Sequence, residues 1–196
     1  MENHIKISVI APVFNEKENL ISFTDSVKKT MNDLGQEWEL IIIDDGSTDG
    51  SADLIKELSM HPRVRSLILS KNYGQTTAIQ AGFDNALGKF FVTLDSDLQN
   101  DPKDIPALLQ KLIDENLDLV VGWRKDRKDN YFLRNFPSMI ANRLIANITG
   151  VKLHDYGCSL KAYRAEVLKE VRLYGEMHRF IPCLLYTSDA ADEWRS

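Results

Sequence analysis

The chain has 196 residues, 43% of them apolar, and a formal net charge of −5. This balance is typical of one soluble globular domain with a substantial core. Its mild acidity, without a basic stripe, argues against a nucleic-acid partner, because such proteins cluster Lys and Arg against phosphates. We expect no signal peptide and no membrane span. The two cysteines form no CxxC pair, which fits a reducing, cytoplasmic compartment.

Apolar runs and helix-length segments alternate over the first 122 residues. Strands are predicted at 5–11, 38–43, 64–69, 90–94 and 117–122, several of them apolar on both faces. Amphipathic helices are predicted between them at 17–33, 50–60, 74–87 and 102–116. Asp49 marks the second helix start, and Asp101 with Pro102 marks the fourth. The alternation predicts an α/β fold, a Rossmann-like, mostly parallel sheet with helices on both faces.

Beyond residue 125 the pattern changes. A charged loop is followed by a predicted helix near 132–148 and a short strand-like segment, CSLKAYR. After HRFIP the apolar pattern stops, so residues 183–196 are predicted to form an atypical, truncated or foreign tail.

Polar residues collect where the predicted strands end. In a parallel sheet the carboxyl ends of the strands meet at one edge, where ligands bind. These ends carry PVFNE, DDGSTDGS, SKNYGQ, DSDLQ and GWR. A dinucleotide-binding domain is disfavoured, because no GxGxxG follows the first strand.

The sequence LDSDLQNDP holds two carboxylates at i and i+2. In an extended chain such residues project from one side, about 6.5–7 Å apart, so Asp95, Asp97 and Gln99 point together. Carboxylate oxygens suit Mg²⁺ or Mn²⁺, with substrate phosphates completing the shell. The competing interpretation is a solvated loop that caps the next helix, but Asp101 already fills that role.

Other strand ends carry candidates with ordinary explanations beside them. Asp44 and Asp45 suit hydrogen bonds to a nucleoside base or ribose, or an ordinary strand-to-helix turn. Asn15 and Glu16, beside Pro12, also suit a helix N-terminus. The guanidinium groups of Arg124 and Arg134 are candidates to grip a pyrophosphate, or are ordinary surface arginines. His154 beside Asp155 is a weaker candidate for acid–base work.

Taken together, these motifs resemble glycosyltransferase family 2 with the GT-A fold. The order PVFNE, DDGS, a KNxGxxxA segment, DxDLQxDP and GxR carries the resemblance, which runs from Ile5 to Pro182. More narrowly, LDSDLQNDP, GWRKDR, RNFPSMIANRL, DYGCSLKAYR and EMHRFIP resemble the dolichyl- and undecaprenyl-phosphate mannosyl- and glucosyltransferases. The resemblance implies one catalytic domain over 1–182, with a nucleotide-sugar half at about 1–125 and an acceptor half at about 126–182.

The resemblance also implies a role for each site residue. The nucleotide-sugar pocket would be lined by Pro12, Asn15, Glu16, Asp44, Asp45 and Asp95. The divalent cation would be held by Asp95, Asp97 and Gln99. Donor or acceptor phosphate would be met by Arg124, Arg134 and Ser138. Catalysis would rest on Asp97, Asp155, Arg124 and Arg134.

The implied reaction is inverting, metal-dependent transfer of a hexose from a nucleotide-diphosphate sugar to a polyprenyl phosphate at the inner face of the cell membrane. An anionic phosphate acceptor needs positioning more than deprotonation. Two alternatives stay open: a family 2 transferase for a hydroxyl of a cell-surface polysaccharide or lipid, with Asp155 as base, and an inactive nucleotide-sugar-binding module. Assembly into a homo-oligomer is also left open.

Overall fold

A computed structural model describes residues 6–122, 158–168, 171–175 and 177–185. The strands are β1 (Ile7–Val13), β2 (Trp38–Asp44), β3 (Val64–Ile68), β4 (Phe90–Thr93), β5 (Leu119–Val121) and β6 (Lys161–Arg164). The longer helices are α1 (Lys17–Leu34), α2 (Ser51–Leu58), α3 (Gln75–Asn85) and α4 (Ile105–Asp114). Short helical turns lie at Pro102–Asp104, Ala165–Leu168 and Met177–Phe180. The predicted alternation of strands and helices is confirmed, whereas the predicted helix near 132–148 lies outside the described residues.

The six strands form one sheet in the order β3-β2-β1-β4-β6-β5. Strands β1 to β4 pair in parallel, whereas β6 is antiparallel to both β4 and β5. The predicted mostly parallel sheet is therefore confirmed. Because β6 runs in the opposite direction, the residues before it reach the edge where the parallel strands end.

The core has two layers, one on each face of the sheet. The alternating side chains Ile7, Val9 and Ala11 of β1 pack with α1, α2 and α4. Ile10 instead packs with α3 and the segments after β6, as far as Leu185. The helices therefore cover both faces, as predicted. The packed chain continues past Pro182 into residues 183–185, and the tail over 183–196 otherwise stays a prediction.

Strand and helix ends differ in detail from the predicted ones. β1 continues to Val13 through Pro12, which pairs with Ile43 of β2 beyond the part of β1 that pairs with β4. A residue without an N–H is tolerated there because one side of the strand is open. Asp101 does cap its turn, accepting a hydrogen bond from the Lys103 N–H at 3.0 Å, but Pro102–Asp104 is a 3-10 turn and α4 follows it.

The helices in these described ranges include none that is both long enough and apolar enough to cross a bilayer.

Candidate functional site

A cleft of about 290 Å³ opens at the edge where β1, β2 and β4 end. Five of the residues predicted from the sequence line it: Pro12, Glu16, Asp45, Asp95 and Asp97. The structure thus brings together residues from three strand-end loops that are separated by up to 85 positions in the chain. Gly74 and Gln75, at the start of α3, line the same cleft.

Asp95 is a half-buried carboxylate at the centre of this cleft. Its Oδ1 accepts a hydrogen bond from Gln75 Nε2 at 2.7 Å. Burial, and then the negative charge of Asp97, raise the pKa of Asp95, while hydrogen bonds from Ser159 and Gln75 and the charge of Lys161 oppose that rise. Two carboxylates thus repel each other in a poorly solvated position, and a cation between them would relieve the repulsion.

Asp97 and Gln99 belong to one tight turn after Asp95. Asp97 Oδ1 accepts a hydrogen bond from the Gln99 backbone N–H at 3.0 Å, and Leu98 between them has φ of 60°. Gln99 is exposed and is not among the described residues that line the cleft. The strand-like geometry expected for 95–99 thus ends at the turn, which leaves Asp95 and Asp97 facing the cleft without Gln99.

This carboxylate pair fits a divalent cation whose shell is completed by a substrate. Over the described part of the chain, no group of three or more His, Cys, Asp or Glu side chains is arranged to hold a metal ion. Mg²⁺ in particular is commonly bound by one or two carboxylates together with substrate phosphates and water. The donor set at Asp95 and Asp97 matches that mode of binding.

Asp44 and Asp45 follow each other at the end of β2 but have different surroundings. Both oxygens of Asp45 accept backbone hydrogen bonds, from Tyr73 N at 2.8 Å and Gly74 N at 2.9 Å. Asp44 Oδ2 accepts one from Ser47 N at 3.1 Å, whereas its buried Oδ1 has no partner among the described residues. Asp45 therefore holds the turn that begins α3, and Asp44 keeps an acceptor for a further donor.

Asn15 joins two neighbouring strand-end loops. Its backbone N–H donates to Ser47 Oγ at 2.8 Å, and its Oδ1 accepts from the Thr48 N–H at 2.8 Å. Asn15 also has φ of 55°, a left-handed conformation that Asn adopts more readily than most residues. Glu16 accepts from Asn19 Nδ2 at 2.6 Å while it lines the cleft. Asn15 itself is not among the described residues that line the cleft.

The segment that directly precedes β6 is hydrogen-bonded to the loop that contains Asp95. Ser159 Oγ accepts hydrogen bonds from Asn100 Nδ2 at 2.9 Å and from the Asp95 N–H at 3.4 Å. The Ser159 carbonyl accepts from Thr93 Oγ1 at 2.8 Å. Sequence reasoning missed Ser159, because its place depends on the antiparallel direction of β6. Gln75 carried a usable signal, since it ends the strand-end loop SKNYGQ.

The remaining predicted site residues lie outside the described residues. They are Arg124, Arg134, Ser138 and Asp155, together with the residues on either side of Arg124 and Asp155.

A larger cavity, of about 720 Å³, lies at the opposite edge of the sheet. Its lining includes Phe90, Arg164 and Arg172, and none of the predicted site residues. We place the chemistry in the smaller cleft, because the carboxylates and the start of α3 converge there.

The α/β sheet, with its acidic cleft at the carboxyl ends of the parallel strands, has a GT-A-like arrangement that several solved structures share. The glucosyl-3-phosphoglycerate synthase of Mycobacterium tuberculosis, solved with Mn²⁺, uridine-diphosphate-glucose and phosphoglyceric acid, superposes with a TM-score of 0.72 at 23% identity. The match covers 95% of this chain and 66% of that protein. This likeness establishes the fold.

The family assignment comes from the sequence. The profile of glycosyl transferase family 2 matches residues 8–172, so the chain belongs to that family. A dodecaprenyl-phosphate galacturonate synthase from Rhizobium johnstonii is 52% identical over 182 residues, 91% of this chain and 53% of the relative. An undecaprenyl-phosphate 4-deoxy-4-formamido-L-arabinose transferase from Edwardsiella ictaluri is 40% identical over 180 residues, 91% of this chain and 55% of the relative. The chain thus spans about half the length of these curated relatives.

Proposed function

We propose that this chain carries the catalytic domain of an enzyme that transfers a sugar from a nucleotide-diphosphate sugar to a polyprenyl phosphate at the cytoplasmic face of a membrane. The observation that carries the proposal is the Asp95–Asp97 pair, which shares one cleft with the first turn of α3. The polyprenyl-phosphate acceptor is supported by the names of the two relatives described above. We assign donor binding to residues 1–125 and acceptor binding to 126–182.

The sugar class is broader than the sequence expectation of a hexose. The two relatives are named for a galacturonate and for a 4-deoxy-4-formamido-L-arabinose. We therefore propose a sugar donor without restriction to neutral hexoses, and a hexuronate is the first candidate because the relative at 52% identity is named for one.

In the proposed mechanism, Asp95 and Asp97 would hold Mg²⁺ or Mn²⁺, and Gln99 is assigned there by resemblance alone. The chemistry that such an ion would supply is neutralisation of the charge on the departing diphosphate. Gly74 and Gln75, at the start of α3, line the same cleft, and the positive end of a helix dipole favours an anion there. The buried Asp44 Oδ1 is the acceptor proposed for an N–H or O–H of the nucleoside.

The acceptor side of the proposal rests on Arg124, Arg134 and Ser138, which we assign to phosphate. Guanidinium groups match phosphate oxygens in pairs, so these residues would position the acceptor for inverting attack at the anomeric carbon. A phosphate nucleophile is already anionic near neutral pH, and Asp155 is then needed less as a base than it would be for a hydroxyl acceptor.

The first test is Asp97→Ala, with binding of nucleoside diphosphates measured by calorimetry in the presence and absence of Mn²⁺. We expect Mn²⁺-dependent binding to fall by at least about a hundredfold, because one of two metal carboxylates is lost. Asp114→Ala, at an exposed carboxylate on α4, is the control and should bind normally. Undiminished binding by Asp97→Ala would remove the metal site from the proposal.

The second test addresses the acceptor. The chain is incubated with Mn²⁺, labelled nucleotide sugars including a hexuronate donor, and undecaprenyl phosphate in detergent. We expect chloroform-soluble labelled sugar. Label in a polysaccharide fraction would favour a hydroxyl acceptor instead, and the absence of any donor turnover would favour an inactive binding module.

A further inference from the structure

His178 forms a buried contact that the proposed function leaves unused. It lies in the 3-10 turn Met177–Phe180, within the EMHRFIP motif. Its Nδ1 is 2.6 Å from Thr76 Oγ1, across 102 positions of the chain. Both residues are buried, with 7% of His178 and 2% of Thr76 exposed. A short hydrogen bond between two buried groups fixes both partners, because breaking it would leave a polar atom without water.

Thr76 belongs to the first turn of α3, directly after Gln75. This helix has no side-chain cap, since Gly74 occupies its N-cap with φ of 95°. The turn before it is held by Asp45, which accepts the N–H groups of Tyr73 and Gly74. Thr76 adds a second anchor on the other side of Gln75. The position of Gln75 is therefore set by Asp45 before it and by His178 after it.

Gln75 is the residue through which this arrangement reaches the carboxylate pair. Its Nε2 donates to Asp95 Oδ1 at 2.7 Å, and this bond orients the carboxylate within the cleft. His178 also contacts a second group near Asp95, because its carbonyl accepts from the buried Lys161 Nζ at 3.5 Å. The charge of Lys161 acts on Asp95 in turn. His178 is thus connected to Asp95 in two ways, through Thr76 and Gln75 and through Lys161.

We propose that Thr76 and His178 are a pair of positioning residues that hold Gln75 against Asp95 and so set the affinity of the cleft for a divalent cation. The proposal rests on the proposed function, because it takes Asp95 as a metal ligand. It assigns a role to the His of EMHRFIP and explains why a segment so distant in sequence packs behind the strand-end edge. Residues that orient metal ligands typically change metal affinity by about 10–100-fold when they are mutated.

The test compares Thr76→Val with Thr76→Ser, using Mn²⁺ alone as the probe. Free Mn²⁺ is followed by its electron paramagnetic resonance signal, which is lost on binding. Val has nearly the shape of Thr but cannot bond His178, so we expect about three- to tenfold weaker Mn²⁺ binding. Ser keeps the hydroxyl and should stay within about twofold of the unmodified chain.

Thr77→Val is the matched control. Thr77 lies in the same turn of α3, and its Oγ1 donates to the Tyr73 carbonyl at 3.2 Å rather than to a group near the cleft. Urea unfolding of all three variants checks that they fold. Gln75→Leu alone should weaken Mn²⁺ binding by about tenfold or more, and adding Thr76→Val to it should have much less than its separate effect, because both changes act through one contact.

A catalytic readout separates positioning from simple destabilisation. In Thr76→Val, excess Mn²⁺ should restore sugar transfer, with the metal concentration for half-maximal rate raised and the donor KM unchanged at saturating metal. If Thr76→Val binds Mn²⁺ like Thr77→Val while Asp97→Ala loses binding, the positioning role is wrong and the metal site stands. If the unmodified chain or Asp97→Ala contradicts the metal site, both proposals are wrong together.

Discussion

The two edges of the sheet both bury carboxylates, but they surround them differently. Near the start of β2, Glu39 is 1% exposed and accepts three hydrogen bonds, from Ser8 Oγ at 2.6 Å, the Leu87 N–H at 2.7 Å and Arg65 NH1 at 2.6 Å. At the end of the same strand, Asp44 is equally buried and keeps one oxygen without a partner among the described residues. Among the described residues, both oxygens of Glu39 accept hydrogen bonds, whereas one oxygen of Asp44 accepts none.

Asp95, at the edge where the strands end, is less favourably placed as a charged group, because burial and the charge of Asp97 raise its pKa. A buried carboxylate that accepts hydrogen bonds on both oxygens stabilises the fold, whereas one in a cleft with a raised pKa or an unbonded oxygen is a candidate for binding a ligand.

The sharpest test of this contrast is Glu39→Ala at the satisfied edge. The change leaves the buried Ser8 Oγ and the Leu87 N–H without this acceptor, so we expect a loss of about 3 kcal/mol in the free energy of unfolding. Urea denaturation measures it. Mn²⁺ binding by the folded protein should not change.

Glu37→Ala is the matched control for that prediction. Glu37 pairs with Arg63 at 3.4 Å on the surface, whereas Glu39 pairs with Arg65 at 2.6 Å with its own side chain buried. An exposed pair contributes about 0–1 kcal/mol, so Glu37→Ala should have little effect. Equal losses in the two variants would contradict the distinction between the edges.

A second prediction separates the capping role of Asp101 from the proposed metal-binding role of Asp97 within the motif LDSDLQNDP. Asp101 caps the turn at Pro102 through the Lys103 N–H, so Asp101→Ala should cost about 1 kcal/mol of stability. It should leave Mn²⁺ binding unchanged, in contrast to Asp97→Ala. Asp104→Ala is the control, because Asp104 makes no side-chain cap hydrogen bond. A loss of metal binding in Asp101→Ala would mean that the motif cannot be divided in this way.

The smallest expected effect is a gain, rather than a loss, in the free energy of unfolding. The folded state raises the pKa of Asp95, so it binds that proton more tightly than the unfolded state, and stability falls as the pH rises from the ordinary Asp range to the raised value. Above that window the cost is fully present. Asp95→Asn removes the charge and should stabilise the metal-free protein by about 0.5–1 kcal/mol at neutral pH, while Mn²⁺ binding is lost.

Asp114→Asn is the control for this variant, because Asp114 also accepts a hydrogen bond from a Gln, Gln110 Nε2 at 2.6 Å, but in an exposed position. Its thermal midpoint should stay unchanged. A destabilised Asp95→Asn would indicate that Asp95 serves the fold as Glu39 does.

Local sequence predicted most of the fold and part of the site. Strand periodicity located β1 to β5, and the rule that ligands bind at the carboxyl ends of parallel strands placed Asp45, Asp95 and Asp97 in one cleft. The same rule grouped Asn15 with them, but the structure uses its side chain to join two loops. A strand-end position predicts the edge on which a residue lies, but not the partner that its side chain finds there.

Thr76, Ser159 and His178 were beyond the reach of sequence reasoning. Ser159 and His178 reach this region because β6 runs antiparallel to β4 and brings the segments around it behind the strand-end loops, where His178 meets Thr76. Nothing in the local pattern of CSLKAYR states the direction in which its strand pairs, since period-two alternation is the same in both directions.

The sequence by itself determined the α/β alternation, the edge that carries the carboxylates and the cap at Asp101, because burial periodicity and capping depend on neighbours within a few residues. The tertiary structure alone decided which carboxylates are satisfied. Asp45 is bound by two backbone N–H groups from the next loop, Asp44 keeps a free oxygen among the described residues, and Asp95 meets Gln75. These outcomes depend on strand order, which joins residues far apart in the chain.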